Sequence, residues 1–363
     1  MKLLIFISVL LVSCSNLKLG EKPQRDVFRV AWSKNTDPMF KSGNLPISLN
    51  SPAVFKGVVF LGHNSGKMIA YNLKDGKILW SKDDGSSYHT QPIIDEGSLI
   101  YGTVSGRIFV RDIDNGAIKY KLDLDSSIES PPSVYKGYMF FHTRNHKIFC
   151  LDKVTGKILW AYRRSVPFKT TLQRVSTPLI YKNRLYVGFA DGHITAFALE
   201  DGSLIWEQKI VNGTKFIDVD STPFFYQDQL YVGSVSGPLT VLNPYSGAIV
   251  KRFGFRASRK PFLHNGKLIV GTINGELLVI GDNYKVEKRV KVSQNTISSI
   301  VGWREYLVAS TVGGEIIALN KSTFKVKEIK DLGHPSSAIF GSLLTHLDSL
   351  IAFSGRNRLY IYR

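Results

Sequence analysis

The stretch FIDVDSTP, residues 216–223, sets two carboxylates two residues apart, Asp218 and Asp220. In extended backbone both would project to one side, a paired acceptor for an arginine or for backbone N–H groups. They would equally serve as solvated loop carboxylates or as turn formers ahead of Pro223. His142 and His146 are the histidine pair with ligand-like spacing, but they flank a turn and read as solvated loop rather than a metal site. The other histidines are scattered among loops and strand ends. Cys150, in KIFCLD, reads as a small buried apolar residue and not as a nucleophile. No Gly-x-Ser-x-Gly, phosphate loop or catalytic triad is visible. These residues predict neither an enzyme nor a bound metal or cofactor.

Another reactive position lies near the N-terminus. Lys2 precedes an apolar run from Leu3 to Val12, too short to span a bilayer comfortably, and Leu11-Val12-Ser13 leads into Cys14. This is similar to a bacterial lipoprotein signal, in which the cysteine is acylated, with palmitate among the chains, and becomes the new N-terminus. An ordinary secretory signal cut near Ser13 is the alternative. The reading is a signal peptide over 1–13, a lipidated tether over 14–27 and a folded body over 28–363. Ser15, where an aspartate would resemble an inner-membrane retention signal, points to the outer membrane. Acyl chains attach a protein physically because each buried methylene contributes about 0.8 kcal/mol. Beyond Cys14 only Cys150 remains, so no disulfide can form within the mature chain and its core must supply the stability.

The 47 Lys and Arg exceed the 29 Asp and Glu, for a net charge of +18. An export signal argues against nucleic acid as the partner of this charge. Anionic lipid, lipopolysaccharide, cell-wall polymer or an acidic protein face are the available partners. The cations crowd in RFGFRASRK at 252–260, KVEKRVKV at 285–292 and FKVKEIK at 324–330. A propeller binding an anionic envelope surface is therefore the alternative to a protein scaffold, and steep salt dependence would mark it.

The elements that position these residues come from an internal repeat. The first copy reads SPAVF, KG, VVFLG, HNSG, KMIAYNL, KDG, KILW. KMIAYNL, RIFVRDI and HITAFAL alternate as strands do, and Gly or Asn turns join the runs. Further copies start at Gln91-Pro92, Pro132, Thr177-Pro178 and Thr222-Pro223, after Pro261, near Ser298-Ser299 and near Gly341-Ser342. Outside the signal nothing has a helical period. Eight four-stranded antiparallel units predict an all-β, eight-bladed β-propeller. The last copy ends at Arg363 with three strands, and FRVAWSK, 28–34, is read as the outer strand that completes it. Trp32 would then take the place that Trp80, Trp160 and Trp206 take in their own blades. The two longest connections between blades are expected between Trp160 and Pro178 and between Trp206 and Pro223, on one face of the ring.

The spacing in GKMIAYNLKDGKILW resembles the repeat named after pyrroloquinoline quinone enzymes. Adjacent cysteines and a cluster assignable to a metal–quinone site are missing, so a quinone dehydrogenase is the least favoured reading. The lipobox, eight blades and length together resemble the BamB family of outer-membrane assembly lipoproteins. That resemblance implies a non-catalytic scaffold on the outer membrane facing the periplasm. Its implied partners are a BamA-like barrel protein, other assembly subunits and unfolded barrel clients. It also implies that Asp218 and Asp220 contact the periplasmic domains of that partner. Leu172 and Arg174, in TTLQRVSTP at 170–178, stand where the family has a second contact, with one leucine beside the arginine in place of two.

Overall fold

In a computed structural model, residues 26–38, 50–166, 175–257, 259–334 and 337–363 are described. Their strands form eight four-stranded antiparallel sheets. Seven blades use four consecutive strands; in blade four these are Leu179–Tyr181, Arg184–Gly188, His193–Ala198 and Leu204–Lys209, from the inner edge outwards. The eighth uses Leu344–His346, Ser349–Ser354 and Arg358–Tyr362, and its outer strand is Val30–Asn35. Trp32 lies opposite Ile361 and Ser33 opposite Tyr360, so FRVAWSK does close the ring. The first two strands meet in tight turns, and in blades one, two, four, five and six these carry two consecutive positive φ angles, as at Lys56 (45°) and Gly57 (76°). Gln227 and Asp228 make the same turn at 48° and 55° without a glycine.

Alternation puts the apolar side chains of the second and third strands into the seams between blades. Each of the eight seams holds its own buried cluster. Closure is visible in the seam of blades eight and one, where Ile351, Phe353 and Ile361 share a cluster with Val59, Leu61 and Ile69.

Outer-strand tryptophans latch four of these seams. Each indole N–H donates to a carbonyl just past the third strand of the next blade: Trp32 to Leu73 at 2.9 Å and Trp80 to Ile113 at 3.1 Å. Trp160 donates to Leu199 at 3.1 Å and Trp206 to Pro244 at 2.9 Å. The ring also covers the turn that follows: a Cβ on Gly76 would lie 2.9 Å from Trp32. Strand register gives this position to Tyr120 in blade two and to Lys251, Lys288 and Glu328 in blades five to seven. Lys288 donates to the Thr323 carbonyl at 2.7 Å and lies 4.8 Å from the centre of the Phe324 ring. Glu328 accepts the Val27 N–H at 2.6 Å, where the chain enters the ring. Phe28 next to it stacks on the buried Trp303, with ring centres 6.2 Å apart.

The seam of blades one and two contains a buried ion pair. Asp84 meets the Arg111 guanidinium and accepts hydrogen bonds from Tyr88 at 2.6 Å and Tyr101 at 2.7 Å. Arg111 also donates to the Tyr101 oxygen at 2.7 Å and the Gly116 carbonyl at 2.6 Å. With every charge partnered, the network is tolerated in a low-dielectric seam.

Candidate functional site

In a propeller the links from an outer strand to the next inner strand all emerge on one face. The links at 164–178 and 210–223 are long, as expected, but the link at 36–52 is longer than either. This corrects the expectation that those two would be the longest. Once Val30–Asn35 becomes the outer strand of blade eight, the chain after it must reach blade one, which makes it a link of the same kind.

The links at 164–178 and 210–223 converge on blade four. Ser176 accepts the Gly188 N–H at 2.8 Å and donates to the Gly188 carbonyl at 3.1 Å. Val219 of the other link donates its N–H to Phe189 at 3.0 Å, and a Cβ on Gly188 would stand 2.3 Å from the Val219 carbonyl. Glycine at 188 therefore lets the second link lie directly on the blade. Arg164, at the start of the first link, bridges Asp191 at 2.6 Å and Glu207 at 2.7 Å, both on blade four.

The carboxylates of Asp218 and Asp220 are not displayed on the open face. The DVD segment is not a strand, and Asp218 is 1% and Asp220 8% exposed. The Asp218 carbonyl accepts from the Ser234 hydroxyl at 2.7 Å, fixing the link to blade five. Asp220 lines a cavity of about 510 Å³ at the mouth of the central channel, shared with Gln91, Glu129, Lys260, Ser299 and Ser342. The exposed part of this link is 212–216, ending at Phe216, which is 50% exposed with φ of 55°. Sequence reasoning passed over Phe216; its signal is a large aromatic in a polar loop. Leu172, Arg174 and Cys14 lie outside the described residues.

His142 and His146 correct the solvated-loop expectation: both are buried, with ring centres 5.9 Å apart, and Phe189 of blade four covers them. His142 Nδ1 faces the Ser176 carbonyl at 3.0 Å. Burial, then the neighbouring His146, pushes the His142 pKa down to about 3; burial pushes His146 down to about 4. Cys150 is fully buried, and desolvation pushes its thiol up to about 12, so it is no nucleophile. Among the described residues, no three His, Cys, Asp or Glu side chains gather as a metal would require. At the cavity, Glu129 is engaged by Arg144 at 3.2 Å and Ser127 at 3.0 Å.

The fold and its paired links thus define a closed eight-bladed propeller of quinone-enzyme-like repeats, with two long links meeting on blade four. The family model described as outer membrane protein assembly factor BamB matches residues 29–116 and 85–283, and the chain belongs to that family. The outer membrane protein assembly factor BamB of Francisella salina is 33% identical over 95 residues. That match covers 24% of this chain and 18% of the relative's length. The crystal structure of BamB from Moraxella catarrhalis superposes with a TM-score of 0.76 at 20% identity, over 93% of this chain and all of that one. A europium-containing methanol dehydrogenase superposes with a TM-score of 0.73 at 12% identity, over 92% of this chain and 93% of that one. At these identities both superpositions speak for the propeller fold alone.

Proposed function

We propose that this protein is a non-catalytic scaffold lipoprotein of outer-membrane β-barrel assembly. In this reading Cys14 is acylated and holds the 28–363 ring at the outer membrane, facing the periplasm. The face bearing the links at 164–178 and 210–223 docks on the periplasmic domains of a BamA-like barrel protein, alongside other assembly subunits. A rigid ring held there biases the orientation of a mobile periplasmic arm and so helps unfolded barrel clients reach the insertion site.

The observation that carries the reading is the convergence of both links on Gly188, in a chain whose family is that of an assembly factor. Long ordered loops on a rigid scaffold are where recognition concentrates. Leu172, Arg174, Asp218 and Asp220 remain the proposed patch. Burial of the two aspartates makes Phe216 and its exposed neighbours the part that meets the partner first, with Asp218 and Asp220 shaping the loop behind them.

Co-purification from mild-detergent membranes tests this, with wild type compared with Arg174→Glu, Phe216→Asp and the double variant Asp218→Ala/Asp220→Ala. The wild type is expected to bring down a barrel protein at low and high salt, and the folded variants to lose it. A wild type that captures no barrel protein refutes the scaffold reading, and variants that bind as well as wild type refute the patch.

A further inference from the structure

The described chain begins at Asp26 and enters the ring at a defined place. Val27 donates to Glu328, on the outer strand Val326–Asp331 of blade seven, and Phe28 packs on Trp303 of the same blade. Only eleven residues, 15–25, lie between Cys14 and Asp26, which is at most about 40 Å of extended chain. An attachment at Cys14 would therefore lie within about 40 Å of the point where the chain enters blade seven.

That sector is also where the charge sits. From 249 to 331, spanning the outer strands of blades five to seven, there are 15 Lys and Arg against 7 Asp and Glu. Lys251, Lys285, Lys325, Lys327 and Lys330 are exposed along these outer edges and form no ion pair among the described residues. The sector's own carboxylates are largely engaged: Glu276 with Arg289, Glu287 with Lys267 and Glu328 with the Val27 N–H. Exposed Val250 and Ile329 stand among these lysines and add apolar surface to the edge. Latches differ here too, because the Trp position holds Lys251, Lys288 and Glu328.

We infer that the outer edges of blades five to seven form a membrane-facing belt, which lies on anionic phospholipid headgroups beside the point where the N-terminal segment leaves the ring. Cations and exposed aliphatics on one edge suit a headgroup layer, where lysines gain from the surface potential and aliphatics reach the acyl boundary. The lipid anchor supplies one attachment and the belt a second, and the second contact fixes which edge of the ring meets the membrane. The ring would then stand on this edge, fixing how the face with the 164–178 and 210–223 links is presented. The inference rests on the anchoring half of the proposed function and not on the docking half.

The test uses the chain from Ser15 onward, without the acylated cysteine and with every strand of the ring. Its sedimentation is measured with vesicles of phosphatidylethanolamine and phosphatidylglycerol and with vesicles of phosphatidylcholine alone. Lys285→Gln/Lys325→Gln/Lys327→Gln/Lys330→Gln is compared with Lys56→Gln/Lys74→Gln/Lys121→Gln/Lys157→Gln, which removes the same charge from blades one to three. Binding to the anionic vesicles is expected to fall about fivefold for each belt lysine removed, with the control set near wild type. Equal loss in both sets would mean that net charge alone drives binding and overturns the belt, as would equal wild-type binding to both vesicle types. Failure of the co-purification experiment with vesicle binding intact would remove the docking reading and leave the belt standing.

Discussion

Replacing Asp84 with alanine would leave a guanidinium alone in the seam of blades one and two. The Asp84 side chain is fully buried and that of Arg111 is 4% exposed, so water cannot replace the lost carboxylate. Breaking a buried pair by removing one partner costs about 3–5 kcal/mol, because the remaining charge is uncompensated. The Tyr88 and Tyr101 hydroxyls lose an acceptor in the same step, and these losses overlap with the first. The expected destabilisation is about 4 kcal/mol, read as a lower urea midpoint by tryptophan fluorescence. Adding Arg111→Met removes the stranded charge and fills its volume, so the double variant should recover stability towards wild type. Partner co-purification by folded Asp84→Ala should be unchanged, because the network makes no contact with blade four. A loss below about 1 kcal/mol, or a double variant no better than the single one, would refute the argument that an isolated buried charge sets the cost.

Trp32→Ala removes the indole bond to Leu73 and the cover over Gly76, and should cost about 2 kcal/mol in a urea titration, by loosening the seam of blades eight and one. Gly188→Ala drives a Cβ into the Val219 carbonyl; about 1–3 kcal/mol of stability should be lost, and barrel-protein capture should weaken with it. His63, His142 and His146 are held neutral, with pKa values near 4, 3 and 4. Their folded values lie below the unfolded 6.5, so the stability they contribute is complete above that pH and declines as pH falls towards 4. Denaturation midpoints between pH 7 and pH 5 should fall accordingly, and His142→Asn should flatten the slope. Cys150 should resist thiol reagents in the native state and react once the chain is unfolded.

The repeat made the fold legible. Alternating KMIAYNL-type runs, turn residues at fixed offsets and a lone FRVAWSK sufficed to count eight blades and to close the ring, because strand period and turn chemistry are local properties. Even the latch is visible as a Trp before the outer strand's polar residues. Its continuation through Lys251, Lys288 and Glu328 is not, since only strand register reveals which residues share a position. The site was legible as a place but not as a geometry. The lengths of the links at 164–178 and 210–223 marked them out, whereas the burial of Asp218 and Asp220 came from contacts with blades four and five that are distant in sequence. The same holds for His142 and His146: a turn that reads as solvated is roofed by Phe189 of the next blade. Sequence by itself determined the strands, their number and the closing of the ring, because these follow from patterns within a few residues. The tertiary structure alone decided which polar groups face water and where the N-terminal segment leaves the ring, because both depend on which blades become neighbours when the ring closes.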